Sequence, residues 1–237
     1  MRISDDVRAQ HKLVTEKFGI EKLALVVGAS MGAQQTYEWA VRYPDIVARA
    51  APLAGTAKNT DHCFIFTQTL IDALESDPAF DGGWYKSAED VHRGLRRHAA
   101  LWAVTGWCTE FYSQELWRDI AFSSYEDFLF NFMDGYFGPM DPNNLLCMAW
   151  KWQRGDVSRG FGGDVASALA RIKAKTFVMP VTSDLVFPLA VCEAEQRLIP
   201  HSEFRPLKSN FGHFGLIGIE PSFSQQIDAN LNELLSL

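Results

Sequence analysis

Three residues of this chain are of the types that together activate a hydroxyl: Ser30, Asp184 and His213, in that order. A serine attacks a carbonyl efficiently only when a neighbouring base takes its proton, and an imidazole does this best when a third group fixes its tautomer. Ser30 lies in Gly28-Ala29-Ser30-Met31-Gly32, after the apolar run Leu23-Ala24-Leu25-Val26-Val27 and before a helical pattern from Gln34 to Arg42. A G-x-S-x-G segment between a strand and a helix reads as a nucleophile elbow. Its glycines permit the sharp turn, and the hydroxyl is held near a helix N-terminus that favours developing negative charge. The backbone N–H of Met31, next after the serine, is then a donor for the oxyanion of a tetrahedral intermediate.

Taken singly, each residue has a plainer use. A lone G-x-S-x-G can be an ordinary tight turn, Asp184 a helix cap or turn residue, and His213 a buried, hydrogen-bonded histidine. Their joint placement assigns them to one site, because Asp184 follows an expected strand at 175–181 and His213 follows another at 203–207. Open parallel sheets set their sites in loops at the C-terminal ends of strands. The other histidines, His11, His62, His92, His98 and His201, are scattered. Only His92 and His98 lie near each other, both in the middle of the chain, so no metal site is expected.

The elements that must position these residues alternate. A helix is expected over 5–18, capped by Ser4 or Asp5 and stopped at Gly19, with Val7, Gln10, Val14 and Phe18 on one side. The elbow strand and its helix follow, and that helix ends at Tyr43-Pro44. A second buried strand is expected over 46–53, which implies parallel pairing through right-handed crossovers. The alternation resumes with a helix at 165–172, the strand at 175–181, a helix at 189–198, the strand at 203–207 and a closing helix at 222–235.

Between about Asn59 and Gly163 the pattern is helical, with apolar positions at helical spacing in Phe64-Ile65-Thr69-Leu70-Ala73-Leu74 and in Leu95-His98-Leu101-Trp102. Six of the seven tryptophans fall there, so this stretch either packs a helical core or lines a substrate tunnel or subunit contact. With no low-complexity linker in sight, 59–163 is read as a helical lid inserted in one domain spanning 1–237.

Bulk properties narrow the classes. The net charge of −7 has no compensating basic block, which argues against broad nucleic-acid or anionic-membrane binding. Cys63, Cys108, Cys147 and Cys192 form no C-x-x-C pair, and the polar start Met1-Arg2-Ile3-Ser4-Asp5-Asp6 is unlike a signal peptide; a cytoplasmic protein with free thiols is expected.

Gly-Ala-Ser-Met-Gly-Ala-Gln-Gln at the elbow, Glu38-Trp39-Ala40, Tyr43-Pro44 and Asp141-Pro142-Asn143 before a helix from Leu145 to Trp150 resemble the homoserine O-acetyltransferase family of the α/β-hydrolase superfamily. The resemblance runs over nearly the whole chain. It implies an α/β-hydrolase fold, a mostly parallel sheet with a helical lid, and ping-pong acyl transfer. Ser30 would take an acyl group from acyl-CoA as co-substrate, His213 would shuttle protons and Asp184 would orient His213. No cofactor is permanently bound in this reading, and the partners are a small acyl donor and acceptor, with a homodimer through the lid helices as a further option. The stretch Asp127-Phe128-Leu129-Phe130-Asn131-Phe132-Met133-Asp134 departs from the family in lacking an arginine for an amino-acid carboxylate, which disfavours homoserine as acceptor.

That fold places several strands, and a second oxyanion donor, before its elbow. The expectation is therefore a sheet lacking its first strands, with the Leu23–Val27 strand at its edge and residues upstream of Met1 encoded but absent from this sequence. Two alternatives accompany the transferase reading. An esterase or amide hydrolase shares the acyl-serine and replaces the acceptor by water; a catalytically silent fragment would act only in association.

Overall fold

The alternation predicted from the sequence builds one parallel sheet. The computed structural model describes all residues, Met1–Leu237. Its strands are β1 (Val26–Ala29), β2 (Arg49–Leu53), β3 (Lys175–Val178) and β4 (Ser202–Phe204), all parallel in the order β1-β2-β3-β4. Seven helices of eight or more residues surround it: α1 (Ile3–Lys12), α2 (Met31–Arg42), α3 (Asp61–Glu75), α4 (His92–Thr105), α5 (Pro142–Gln153), α6 (Leu189–Gln196) and α7 (Pro221–Ser236). The two faces of the sheet follow the strand alternation. Ala50 and Val178 face the core built with α2 and α6, while Ala51, Leu53, Phe177 and Met179 pack with Phe223 and Leu234 of α7.

Several boundaries differ from expectation for local reasons. The first helix starts at Ile3, before the expected caps, and Asp5 instead accepts the Arg2 N–H at 2.8 Å; beyond Lys12 it loosens into π-type turns at Leu13–Lys17. Leu23 makes one isolated bridge to Val47, and the β1 ladder shifts to Val26–Ala29, so the turn follows the last paired residue directly. β3 ends before Pro180, which has no N–H to give the ladder, and pairing persists only as single bridges at Met179 and Val181. β1 is paired on one side only, and Val27 is half exposed.

Helices α3, α4 and α5 lie in the segment between β2 and β3. Its two legs are tied together by an antiparallel bridge, Lys58 to Asp156, flanked by Asn59 N–H to Gly155 O at 2.8 Å and Val157 N–H to Ala57 O at 3.2 Å. Within the segment, Trp107, Phe111, Phe128 and Met133 form a core separate from those of the sheet.

Candidate active site

The turn after β1 is fixed from three directions. Ser30 is the N-cap of α2 with φ 56° and ψ −121°, outside the regions an L-residue adopts without strain. Its N–H donates to Leu53 O at 2.9 Å, which ties it to the end of β2. A Cβ at Gly28 would sit 2.3 Å from Gly32 O, and one at Gly55 would sit 2.6 Å from Ser30 O, so the backbone approaches itself too closely there for any side chain. The second glycine of the motif differs: Gly32 faces open space. Met31, as the first residue of α2, has an N–H that no intrahelical carbonyl can satisfy.

Asp184 and His213 meet this serine. The buried Asp184 accepts from the N–H groups of Val186 and Phe187 through Oδ1, at 2.7 and 3.1 Å, and faces His213 Nδ1 through Oδ2 at 2.8 Å. His213 Nε2 lies 2.8 Å from Ser30 Oγ. A carboxylate only accepts, so Nδ1 must carry the proton and Nε2 is left to accept from the serine hydroxyl. The loops bearing the acid and the base are joined by Ser183 Oγ donating to Ser209 O at 2.6 Å. The His213 loop is tied to the segment after α4 by Phe214 N–H to Gly106 O at 3.0 Å and by Cys108 Sγ to Asn210 O at 2.9 Å. All three residues singled out in the sequence therefore converge, and Met31 borders the same space.

That space is a cavity of about 340 Å³ with sixteen lining residues, thirteen of them hydrophobic. The three others are Ser30, His213 and His98. Trp102 of α4 and Trp152 of α5 form part of the wall, with rings stacked at 5.8 Å and 21°. Four of the six tryptophans of the 59–163 stretch take the two roles weighed for them, Trp102 and Trp152 in the wall and Trp107 and Trp117 in the helical core, while Trp84 and Trp150 are exposed. No lysine or arginine lines the cavity, and no three His, Cys, Asp or Glu side chains converge as metal ligands.

Sequence reasoning did not find Gly55, whose role arises from close approach to a turn 25 residues away, nor Phe187, which packs 5.6 Å from the His213 ring. From the sequence, His98 is an apolar-face position of a helix and a neighbour of His92, with no role at the site. The signal that could have raised it was its i,i+4 spacing to Trp102 on one helix. Burial pushes the His98 imidazole down to about 4, the Leu70 carbonyl opposing this only in part.

Residues 2–218 match the alpha/beta hydrolase fold family. The chain belongs to that family and is an enzyme of the α/β-hydrolase superfamily. It is 60% identical over 236 residues to an ethyl acetate hydrolase of Pseudomonas veronii, spanning 100% of this chain and 68% of that protein. The crystal structure of the acetyl esterase MekB superposes with a TM-score of 0.99 at 59% identity, covering all of this chain and 69% of that one. A homoserine O-acetyltransferase of Chlorobaculum parvum is 28% identical over 212 residues, covering 88% of this chain and 59% of that protein. The acetyltransferase resemblance is therefore real but distant, and proteins named esterases fit the chain better.

Proposed function

We propose that this protein hydrolyses small, uncharged carboxylic esters through an acyl-Ser30 intermediate. The observation that carries this reading is the unbroken relay Asp184–His213–Ser30, with both links at 2.8 Å, opening on an apolar cavity. Ser30 Oγ attacks the ester carbonyl carbon while His213 Nε2 takes its proton. The resulting oxyanion is stabilised by the Met31 N–H. Collapse breaks the carbonyl–alkoxy bond, and the departing alcohol receives the proton from His213. Water then attacks the acyl-serine with His213 as base, releasing the carboxylic acid and restoring Ser30. Asp184, through its contact with Nδ1, holds the imidazolium in place.

Esterase chemistry is favoured over transfer to homoserine by the lining, which offers no cation for an amino-acid carboxylate. The names of the relatives at about 60% identity point the same way. The test is p-nitrophenyl acetate turnover by the full chain, with and without added alcohols, homoserine and acetyl-CoA, together with labelling by a fluorophosphonate. Hydrolysis lost in Ser30→Ala, and undiverted by any acceptor, is the expected result. Quantitative diversion of the acyl group to an acceptor would instead establish the transferase, and a folded protein that neither turns over ester nor labels at Ser30 would leave only a role in association.

A further inference from the structure

His98 has no part in that mechanism, yet it is the only ionisable imidazole of the cavity wall besides His213. It is 3% exposed and sits on α4 among apolar groups, its ring edge-on to Phe137 at 5.0 Å. Both ring nitrogens are committed. Nδ1 lies 3.3 Å from Leu70 O of α3, and Nε2 accepts the Trp102 indole N–H at 3.2 Å. A carbonyl can only accept and an indole N–H can only donate, so these partners admit a single neutral tautomer.

Trp102 is where the wall elements meet. Its ring is edge-on to Phe66 of α3, stacked on Trp152 of α5, edge-on to Phe214, and nearly parallel to the His213 ring, with centroids 6.2 Å apart and planes 25° apart. Phe187 packs against the same imidazole. The indole of Trp152, stacked on Trp102 in the same wall, is buried with no partner for its N–H, whereas the Trp102 N–H is given the His98 imidazole as acceptor. A leucine or phenylalanine at position 98 would fill the space without the cost of desolvating an imidazole.

We propose that His98 is a positioning residue that locks the Trp102 indole, so that the indole fixes both the shape of the acyl-binding wall and the orientation of the His213 ring. The substrates selected are those whose acyl chain matches the wall in this one setting. The proposal rests on the acyl-serine reading above.

The test compares the full chain with His98→Leu, His98→Gln, Trp102→Phe and the double variant His98→Leu/Trp102→Phe. Readouts are kcat and KM on p-nitrophenyl acetate and p-nitrophenyl hexanoate, the rate of Ser30 labelling by a fluorophosphonate, and the thermal melt. His98→Leu is expected to lower kcat on acetate about tenfold to a hundredfold and to slow labelling in parallel, as a small misplacement of a catalytic ring does. It should also change the hexanoate-to-acetate ratio of kcat/KM about threefold or more. His98→Gln, whose amide can accept from the indole and donate to Leu70 O, should recover most of both, and the double variant should match Trp102→Phe alone. A folded His98→Leu with unchanged kcat and ratio, or losses that add in the double variant, overturns the proposal. Should His98→Leu fail to fold, the decision passes to His98→Gln: near-normal values support the proposal and a loss equal to that of Trp102→Phe overturns it. Hydrolysis that survives Ser30→Ala is a different result, which overturns the acyl-serine reading and the proposal with it.

Discussion

Ser30 carries its hydroxyl on a backbone that an L-residue resists, and that strain is held by contacts with no slack. The Gly28 position shows it most directly. An added methyl would press within 2.3 Å of Gly32 O, and neither partner is a flexible side chain. Gly28→Ala is therefore expected to cost about 1–3 kcal/mol or more in stability, as overpacking of a rigid contact does. Gly32→Ala should be tolerated within about 1 kcal/mol, because its methyl meets nothing and it lies within α2. Thermal melts of the two variants check this contrast between positions that look equivalent in the motif. For the acid, Asp184→Asn keeps the shape but lets Nδ1 lose its proton preference. A fall in kcat of about 10³–10⁴-fold with little change in KM is expected in steady-state kinetics on p-nitrophenyl acetate.

The relay was legible at this scale because its members are chemically distinctive and ordered along the chain. Gly55 and His98 were not, since what each does depends on a neighbour brought up by folding: the Ser30 carbonyl for one, the Leu70 carbonyl and the Trp102 indole for the other.

Among elements, the helices of the 59–163 stretch show how far periodicity reaches. It gives α3 and α4 as helices but not which stripe faces a cavity and which a core, since Leu70 lines the cavity while Leu74 lies in the helical core. Strand types were read correctly and strand ends were not, because the ends are set by Pro180 and by where the elbow must begin. The seam between α4 and the His213 loop is the contact most exposed to test. A Cβ at Gly106 would lie 2.3 Å from the Phe214 ring, next to His213. Gly106→Ala is expected to lower kcat about tenfold by shifting this loop, with a smaller proportional loss of thermal stability. A large drop in melting temperature with unchanged kcat would show that the seam supports the fold and not the base.

For the molecule as a whole, two buried groups set opposing dependences on pH. Glu195 of α6 accepts the Ala57 and Lys58 N–H groups at 2.7 and 3.0 Å and so ties one leg of the segment between β2 and β3 to α6. Burial raises its carboxyl from 4.5 to about 7, the two N–H bonds opposing and Asp156 adding to the rise. Its contribution is present below pH 4.5 and is lost as the pH climbs to about 7. His98, lowered from 6.5 to about 4, contributes above pH 6.5 and loses that contribution as the pH falls to about 4. Each is on the order of 3 kcal/mol, so they nearly cancel between pH 4.5 and 6.5. Glu195→Gln removes one side of this balance. Melting temperature plotted as variant minus parent should then rise from pH 4.5 to 7, and parallel curves would refute it.

The bond from Ser30 N–H to Leu53 O makes the nucleophile an appendage of the β1–β2 ladder, while Val181 and Leu207, paired by a bridge, precede the acid and the base. The three groups hold their geometry only while neighbouring strands keep register. A covalent serine probe is therefore also a clock for the opening of this sheet. In mild denaturant the labelling rate should fall in step with the first fluctuations that part β1 from β2, before ellipticity from the outlying helices begins to change.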